Sequence, residues 1–137
     1  NNKGMDAVII SLKKQEDEIQ MKFAGAKNNL YFYQNNELHE LKGTRKAIGG
    51  IQFEGIDFVD EEIKLPANTV VFMGSDGLED QNNRKRKKFG RKRLKYLLTE
   101  IAHLSSAKQQ LRIEEELDKF MSGVEQRDDI LWIGFRV

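Results

Sequence analysis

Two groups of aspartates are the residues in this sequence best suited to chemistry. Asp76 follows the apolar run of residues 70–73, and Asp128 and Asp129 stand immediately before the apolar residues 130–137. Four consecutive apolar residues are typical of a strand buried on both faces, and an Asp-Gly pair after such a strand forms a turn that other atoms can approach closely. If the two strands are antiparallel neighbours, their carboxylates converge at one edge of a sheet.

Carboxylates that converge in this way repel one another unless a cation lies between them, and the repulsion raises the pKa of one of them. An all-oxygen site without histidine or cysteine suits the hard ions Mg²⁺ or Mn²⁺. The alternative interpretation is that Asp76 only ends a strand and Asp128 only begins a turn. Spacing alone leaves both interpretations open.

Length and composition limit the classes of protein to which the chain can belong. Its 137 residues suit one domain, and 39% hydrophobic with 33% charged residues suits a globular fold with a heavily charged surface. The absence of cysteine excludes disulfides and thiolate zinc sites and fits a reducing cytoplasm. No apolar run approaches the roughly 18 residues that span a bilayer. The chain begins at Asn1 rather than at methionine, so we expect it to be a piece of a longer protein.

The spacing of apolar residues predicts strands through the first half of the chain. Residues 6–42 are predicted to form an antiparallel meander of four strands. A further strand is expected near residues 62–65, the buried strand covers residues 69–73, and a last strand covers residues 130–137. The near-neutral net charge of +1 gives no global field that would favour nucleic acid or a membrane.

Two helices are predicted between the buried strand and the last strand. The first begins near Phe89 and has an apolar stripe at helical spacing. The second covers residues 107–122, with Ser106 and Gln109 as a capping box and Gly123 at its end. Strands followed by helices and a closing strand predict an α+β fold, with the helices on one face of an antiparallel sheet.

A basic segment precedes and enters the first helix. Eight of the ten residues 84–93 are lysine or arginine. The segment could neutralise phosphates on nucleic acid or on a phosphorylated partner, or it could be a solvated surface with no partner. Only Phe89 is interleaved with the cations, so the stacking platform of a single-strand binder is missing and no nucleic acid is expected.

Four short motifs occur in this order: Gly4-Met5-Asp6-Ala7, Phe23-Ala24-Gly25-Ala26 followed by Leu30-Tyr31, Ser75-Asp76-Gly77-Leu78, and Arg127-Asp128-Asp129-Ile130. With two helices between the last two motifs, the chain resembles the C-terminal part of the metal-dependent serine/threonine phosphatases of the protein phosphatase 2C (PP2C) superfamily. The nearer match is the bacterial SpoIIE-like branch. The resemblance covers residues 3–137.

The resemblance implies an antiparallel β-sandwich flanked by helices, here incomplete. It also implies that Asp76 and Asp128 ligate divalent metal, either Mn²⁺ or Mg²⁺, with two or more ions in the full domain. Gly77 and Asp129 would then stand beside the ligands, Asp129 in a supporting or turn position.

The resemblance further implies an activity and a class of substrate. Family enzymes hydrolyse phosphoserine or phosphothreonine in proteins, using water activated by metal to attack phosphorus directly. In the SpoIIE-like branch the substrates are typically small anti-sigma-antagonist-type proteins in bacterial signalling. Arg45, Lys46, Lys87 and Lys88 are the candidates for contact with the substrate phosphate or with a protein partner.

The N-terminal metal motif of the family has no counterpart in this sequence. We therefore expect the chain to hold about half of a binuclear site and to be inactive alone. We also expect it to expose apolar surface that the missing part of the domain would cover. As in related phosphatases, an upstream sensor or receiver domain is expected in the same chain. We expect the protein to lie in the cytoplasm, either free or as the cytoplasmic part of a membrane-anchored sensor. No direct membrane contact by this segment is expected. The sequence leaves open whether the chain forms a homodimer. The alternative is a non-catalytic interaction domain of the same fold that grips an acidic partner with residues 84–93.

Overall fold

The computed structural model describes residues 3–51 and 55–137, with strands in the first half and helices mainly in the second. In chain order its elements are β1 (Ala7–Gln15), β2 (Glu18–Ala26), β3 (Leu30–Gln34), β4 (Glu37–Leu41), β5 (Asp60–Pro66), β6 (Val70–Gly74), α1 (Gly77–Asp80), α2 (Gly90–Ile101), α3 (Ser106–Met121) and β7 (Trp132–Arg136).

The strands form two antiparallel sheets, and the helices cover one of them. The first sheet has the strand order β1-β2-β5 and the second the order β4-β3-β6-β7. One apolar cluster lies between the sheets, and a second lies between the larger sheet and the helices α2 and α3. The predicted α+β fold, an antiparallel sandwich flanked by helices, is confirmed. None of the helices in the described residues has the length and apolar character needed to span a membrane.

The predicted meander over residues 6–42 is wrong, although each of its strands is present. β2 pairs with β1 and β5, whereas β3 pairs with β4 and β6. The reason is that β2 and β3 both have an apolar face, and these faces pack against each other across the sandwich. Met21 and Phe23 of β2 share the cluster between the sheets with Leu30 and Phe32 of β3. Face-to-face packing removes more apolar surface from water than side-by-side pairing would.

Strand β6 is buried on both faces, as the sequence predicts. Val70, Val71 and Phe72 are each 1% exposed or less. Val71 packs in the cluster between the sheets, whereas Val70 and Phe72 pack in the cluster beneath the helices. β6 is therefore shared by both cores, and its end is held firmly in place.

The capping box predicted for α3 is wrong. Ser105 occupies the N-cap position and makes no side-chain hydrogen bond there. Gln109 is only 4% exposed, and its amide donates to the carbonyl oxygens of Ile101 and Leu104 at 3.3 and 3.1 Å. Because these carbonyls lie at the end of α2, Gln109 satisfies the end of one helix rather than the start of the next.

Apolar surface is exposed along the last strand. Leu131 is 62% and Ile133 43% exposed. Beside them, α3 and β7 border a groove of about 780 Å³ whose walls include Ile113 and Leu117. An exposed apolar groove next to an edge strand agrees with the expectation that the helix packing of this fold is incomplete here.

Leu98→Ala is expected to lower the free energy of unfolding by about 2–5 kcal/mol, because it opens a cavity in the core. The Leu98 side chain is fully buried in the cluster beneath α2. The matched control is Leu111→Ala in α3, where the leucine is 53% exposed, and it should change the free energy by no more than about 0.5 kcal/mol. Denaturant unfolding followed by circular dichroism measures both. Equal losses would contradict the core assignment.

Candidate metal centre

The two predicted aspartate groups meet where β6 ends and β7 begins. The strands are antiparallel neighbours, with Gly74 opposite Trp132. Beyond that pair, the backbone nitrogen of Ser75 donates to the carbonyl oxygen of Leu131 at 2.9 Å. The Ser75 hydroxyl donates to the carbonyl oxygen of Asp129 at 3.2 Å and accepts from the Leu131 nitrogen at 3.1 Å. Ser75 thus fastens the segment that bears Asp76 to the segment that bears Asp128.

Gly77 allows this close approach. A Cβ atom at Gly77 would lie 2.3 Å from the carbonyl oxygen of Asp129, closer than two such atoms can come. The missing side chain therefore lets the start of α1 pack directly on the backbone before β7. Asp129, exposed at the surface, takes part in the site through its carbonyl group.

Asp76 lies among other carboxylates. Asp76 is exposed at the surface, and its pKa is raised by partial desolvation there and then by the negative charges of Asp80, Asp6 and Asp128. Although Asp76 is the N-cap residue of α1, its side chain does not cap that helix. The charge of Asp128 thus acts on Asp76, and a cation between the carboxylates would relieve the repulsion.

Asp6 was not among the predicted ligands, yet its charge reaches Asp76. It stands just before β1, next to Met5, whose backbone forms two hydrogen bonds of 2.8 Å with Ile48. Asp6 belongs to one of the motifs that suggested the family, but its closeness to Asp76 depends on how the smaller sheet lies on the larger one. No periodicity in the sequence encodes that placement.

The predicted ligands, Asp76 and Asp128, are carboxylates, the donor type that suits a hard divalent ion. Asp128 Oδ1 accepts a hydrogen bond of 2.8 Å from the Asp129 nitrogen, which orients the carboxyl group. Carboxylate oxygens are the ligands that Mg²⁺ and Mn²⁺ prefer. Across residues 3–51 and 55–137, however, no three Asp, Glu, His or Cys side chains are grouped so that they could hold an ion. The role of Asp76 and Asp128 as metal ligands stays a prediction.

A polar crevice of about 140 Å³ adjoins Asp76 on the helix side of the larger sheet. Arg91 and Lys27 line it together with Glu79 and Tyr31. The Glu79 carboxylate lies 4.0 Å from Arg91 and 3.5 Å from the Tyr31 hydroxyl. Burial is the main reason that the pKa values of both Glu79 and Tyr31 are raised. These contacts tie α1 to the sheet and to α2.

Glu40 supports the same corner from β4. Burial alone would raise its pKa, but hydrogen bonds from Lys95 and Asn29, at 2.6 and 2.8 Å, leave that pKa below its usual value. Glu40 also lies 3.8 Å from Arg91. The ionised carboxylate thus holds the start of α2 against the sheet.

The basic residues predicted to contact substrate have different surroundings. Lys88 is paired with Asp80 at 2.6 Å. Lys46 donates to the carbonyl oxygen of Ile56 at 2.8 Å and lies over the ring of Phe58. Arg45 and Lys87 are exposed. Their contact with a substrate stays a prediction.

Asp76→Asn is expected to raise the melting temperature of the metal-free protein at pH 7 by roughly 1–3 °C, because it removes a crowded charge. A carboxyl whose pKa is raised on folding costs stability only when ionised. The cost is absent below its unfolded-state pKa of about 3.9 and complete above the folded-state pKa. The difference between variant and wild type should therefore vanish toward pH 3.

Scanning calorimetry in the presence of a chelator measures this effect. Asp17→Asn, in the turn between β1 and β2, is the matched control and should leave the melting temperature unchanged. A lower melting temperature for Asp76→Asn at pH 7 would contradict the electrostatic crowding.

Comparison with known proteins agrees with this arrangement. The sequence matches the family model of Stage II sporulation protein E (SpoIIE) over residues 1–137. No curated protein sequence matches it. Among solved structures it is similar to the SiaA-PP2C domain of Pseudomonas aeruginosa, with 33% identity and a TM-score of 0.78 over 86% of this chain and 46% of that one.

Two more distant structures share the fold. The phosphatase domain of SpoIIE from Bacillus subtilis has 13% identity and a TM-score of 0.64, over 96% of this chain and 57% of that one. The catalytic domain of the serine/threonine protein phosphatase PstP, in complex with 2 manganese ions, has 10% identity and a TM-score of 0.55, over 94% of this chain and 57% of that one. This chain thus spans about half the length of the domains it resembles. It belongs to the SpoIIE family and has the fold of PP2C phosphatase domains.

Proposed function

We propose that this chain forms the C-terminal part of a PP2C-type phosphatase domain that hydrolyses phosphoserine or phosphothreonine in a protein substrate. The observation that supports this most directly is the convergence of Asp76 and Asp128 at the β6–β7 edge in a chain of the SpoIIE family. We expect Mn²⁺ or Mg²⁺ as the cofactor, since the donors are carboxylate oxygens. The PstP structure, which shares this fold, contains manganese.

In this proposal Asp76 and Asp128 hold the metal, and their neighbours keep them in position. When bound, the divalent ions would activate water and neutralise charge on the phosphoryl group. The Ser75 hydroxyl, bonded to both sides of the β6–β7 junction, fixes the separation of the two aspartates. The side-chain-free Gly77 allows α1 to approach Asp129. Misplacing a positioned catalytic group by about 1 Å can cost roughly 100-fold in rate, so these contacts would matter to the activity.

The remaining ligands would come from chain outside residues 1–137. The related domains are about twice as long as this chain, and no three potential ligands are grouped in the part of the chain described here. We therefore expect residues 1–137 alone to be inactive or nearly so. We also propose that the whole protein works in the cytoplasm in bacterial signalling, with an upstream sensor or receiver domain and an anti-sigma-antagonist-type protein as substrate.

Asp76→Asn and Asp128→Asn in the full-length protein are each expected to lower manganese-dependent hydrolysis of a phosphoserine peptide by roughly 100-fold or more, since each removes a metal ligand. Phosphate release at a series of Mn²⁺ concentrations measures the effect. The apparent affinity for Mn²⁺ should fall as well, which separates loss of a ligand from loss of a contact to the peptide.

Asp17→Asn is the control here too, because it removes one carboxylate from a turn at the opposite end of β1. It should hydrolyse the peptide at the wild-type rate. Wild-type rates for Asp76→Asn and Asp128→Asn would overturn the metal assignment. An inactive wild-type protein that nevertheless binds an acidic partner through residues 84–93 would favour the alternative, a non-catalytic interaction domain.

A further inference from the structure

A compact group of exposed cations lies in the connection between α1 and α2. Residues 84–87, here called the basic loop, are all lysine or arginine and all exposed. Within residues 3–51 and 55–137 none of their side chains forms an ion pair, whereas the next cation, Lys88, is paired with Asp80. By contrast, Arg112 of α3 is balanced by its contacts with Glu100, Glu115 and Glu116.

The basic loop has a defined conformation. Asn82 and Lys88 form an antiparallel bridge across its base. Asn83 Oδ1 accepts hydrogen bonds of 3.0 Å from the backbone nitrogens of Lys85 and Lys87. Arg86 has a φ of +57°, a left-handed conformation that costs energy for a side chain of this size. A loop fixed in this way presents its charges at set positions, so little ordering entropy is lost when a ligand binds.

Lys88, the residue that follows the basic loop, is connected to Asp76 through α1 by direct contacts. The Asp80 nitrogen donates to the Asp76 carbonyl oxygen at 2.9 Å, and Asp80 Oδ1 accepts from Lys88 Nζ at 2.6 Å. On the other side of α1, Arg91 lines the same 140 Å³ crevice as Asp76. Because a helix rises about 1.5 Å per residue, Asp80 lies about 6 Å along α1 from Asp76, and the basic loop extends beyond the Asn82–Lys88 bridge that follows.

We propose that the basic loop recognises acidic residues that flank the phosphorylated residue of the protein substrate. With the phosphoryl group at the metal centre, an extended substrate chain advances about 3.3 Å per residue, so acidic residues roughly three to five positions away would lie over the loop. The loop would then select among phosphoproteins by charge. This inference rests on the phosphatase function proposed above.

Nucleic acid fits the basic loop less well than an acidic protein. The aromatic residue of the basic segment, Phe89, is 4% exposed and packs edge-on against Phe120 beneath Arg93. No base could stack on it, although binders of single strands depend on such stacking. The patch is also short, and the net charge of the whole chain is only +1, so there is no extended track for a phosphate backbone.

The test compares two phosphoserine peptides in the Mn²⁺-loaded full-length protein. One has aspartates three to five positions from the phosphoserine on both sides, and the other has asparagines there. We expect kcat/KM to favour the acidic peptide by roughly tenfold at low salt, mainly through KM, and the preference to shrink as salt is added. Lys85→Glu with Lys87→Glu should abolish the preference, so that the ratio of kcat/KM for the acidic peptide to kcat/KM for the asparagine peptide falls to about one. The milder pair Lys85→Gln and Lys87→Gln should reduce it.

The matched control reverses the same number of charges at Lys13 and Lys14, which lie near the other end of β1 and are exposed. It should keep the preference. No preference in the wild type, or a preference that survives both changes at Lys85 and Lys87, would overturn the proposal. The proposal would also be overturned if a single-stranded oligonucleotide bound to the loop with higher affinity than the acidic peptide does.

Fluorescence anisotropy of the same labelled peptides in a chelator keeps this test independent of catalysis. If neither peptide is hydrolysed, the proposed phosphatase function has failed, but the affinity ratio of the two peptides still tests the loop. Equal affinities for the acidic and asparagine peptides would then overturn the recognition proposal by itself.

Discussion

The antiparallel pairing of β6 with β7 is the constraint on which the candidate site depends. Each strand alone places an aspartate in a turn, where it would be an ordinary surface residue. The pairing brings the two turns together, and the Ser75 hydroxyl bonds to both the carbonyl of Asp129 and the nitrogen of Leu131. Since β6 is packed on both faces, the junction cannot shift without disturbing two apolar clusters.

Stability and the proposed metal binding make opposite demands at this junction. Partial desolvation of Asp76, and then the like charges around it, raise its pKa and cost folding free energy in the absence of metal. The surrounding packing and hydrogen bonds must offset that cost. Glu40, Lys95 and Arg91 do so on one side by tying α2 to the sheet. Proteins commonly retain such local strain where a ligand will later relieve it.

Sequence reasoning succeeded where local pattern determines structure. The apolar run before Asp76 predicted a strand buried on both faces, and β6 is buried in this way. Helix α2 also followed its apolar stripe, with Leu94 and Leu98 fully buried. In each case one element, read by itself, contains the information that places its residues.

The sequence pattern of one element does not predict which of several possible partners that element packs against. The alternating pattern of β2 shows that one face is buried but not whether β3 lies beside it or across from it, and β3 lies across. Asp6 approaches Asp76 only because of how the two sheets are stacked. Gln109 had a plausible local partner in Ser106, but the unsatisfied carbonyls at the end of α2 bind it instead.

Anomalous scattering from manganese in crystals of the full-length protein tests the central claim most directly, because it locates the ions without reference to activity. The account predicts at least one manganese ion bound by carboxylate oxygens of both Asp76 and Asp128, at about 2 Å as for other octahedral oxygen sites. Manganese ions in the domain that contact neither aspartate would contradict it.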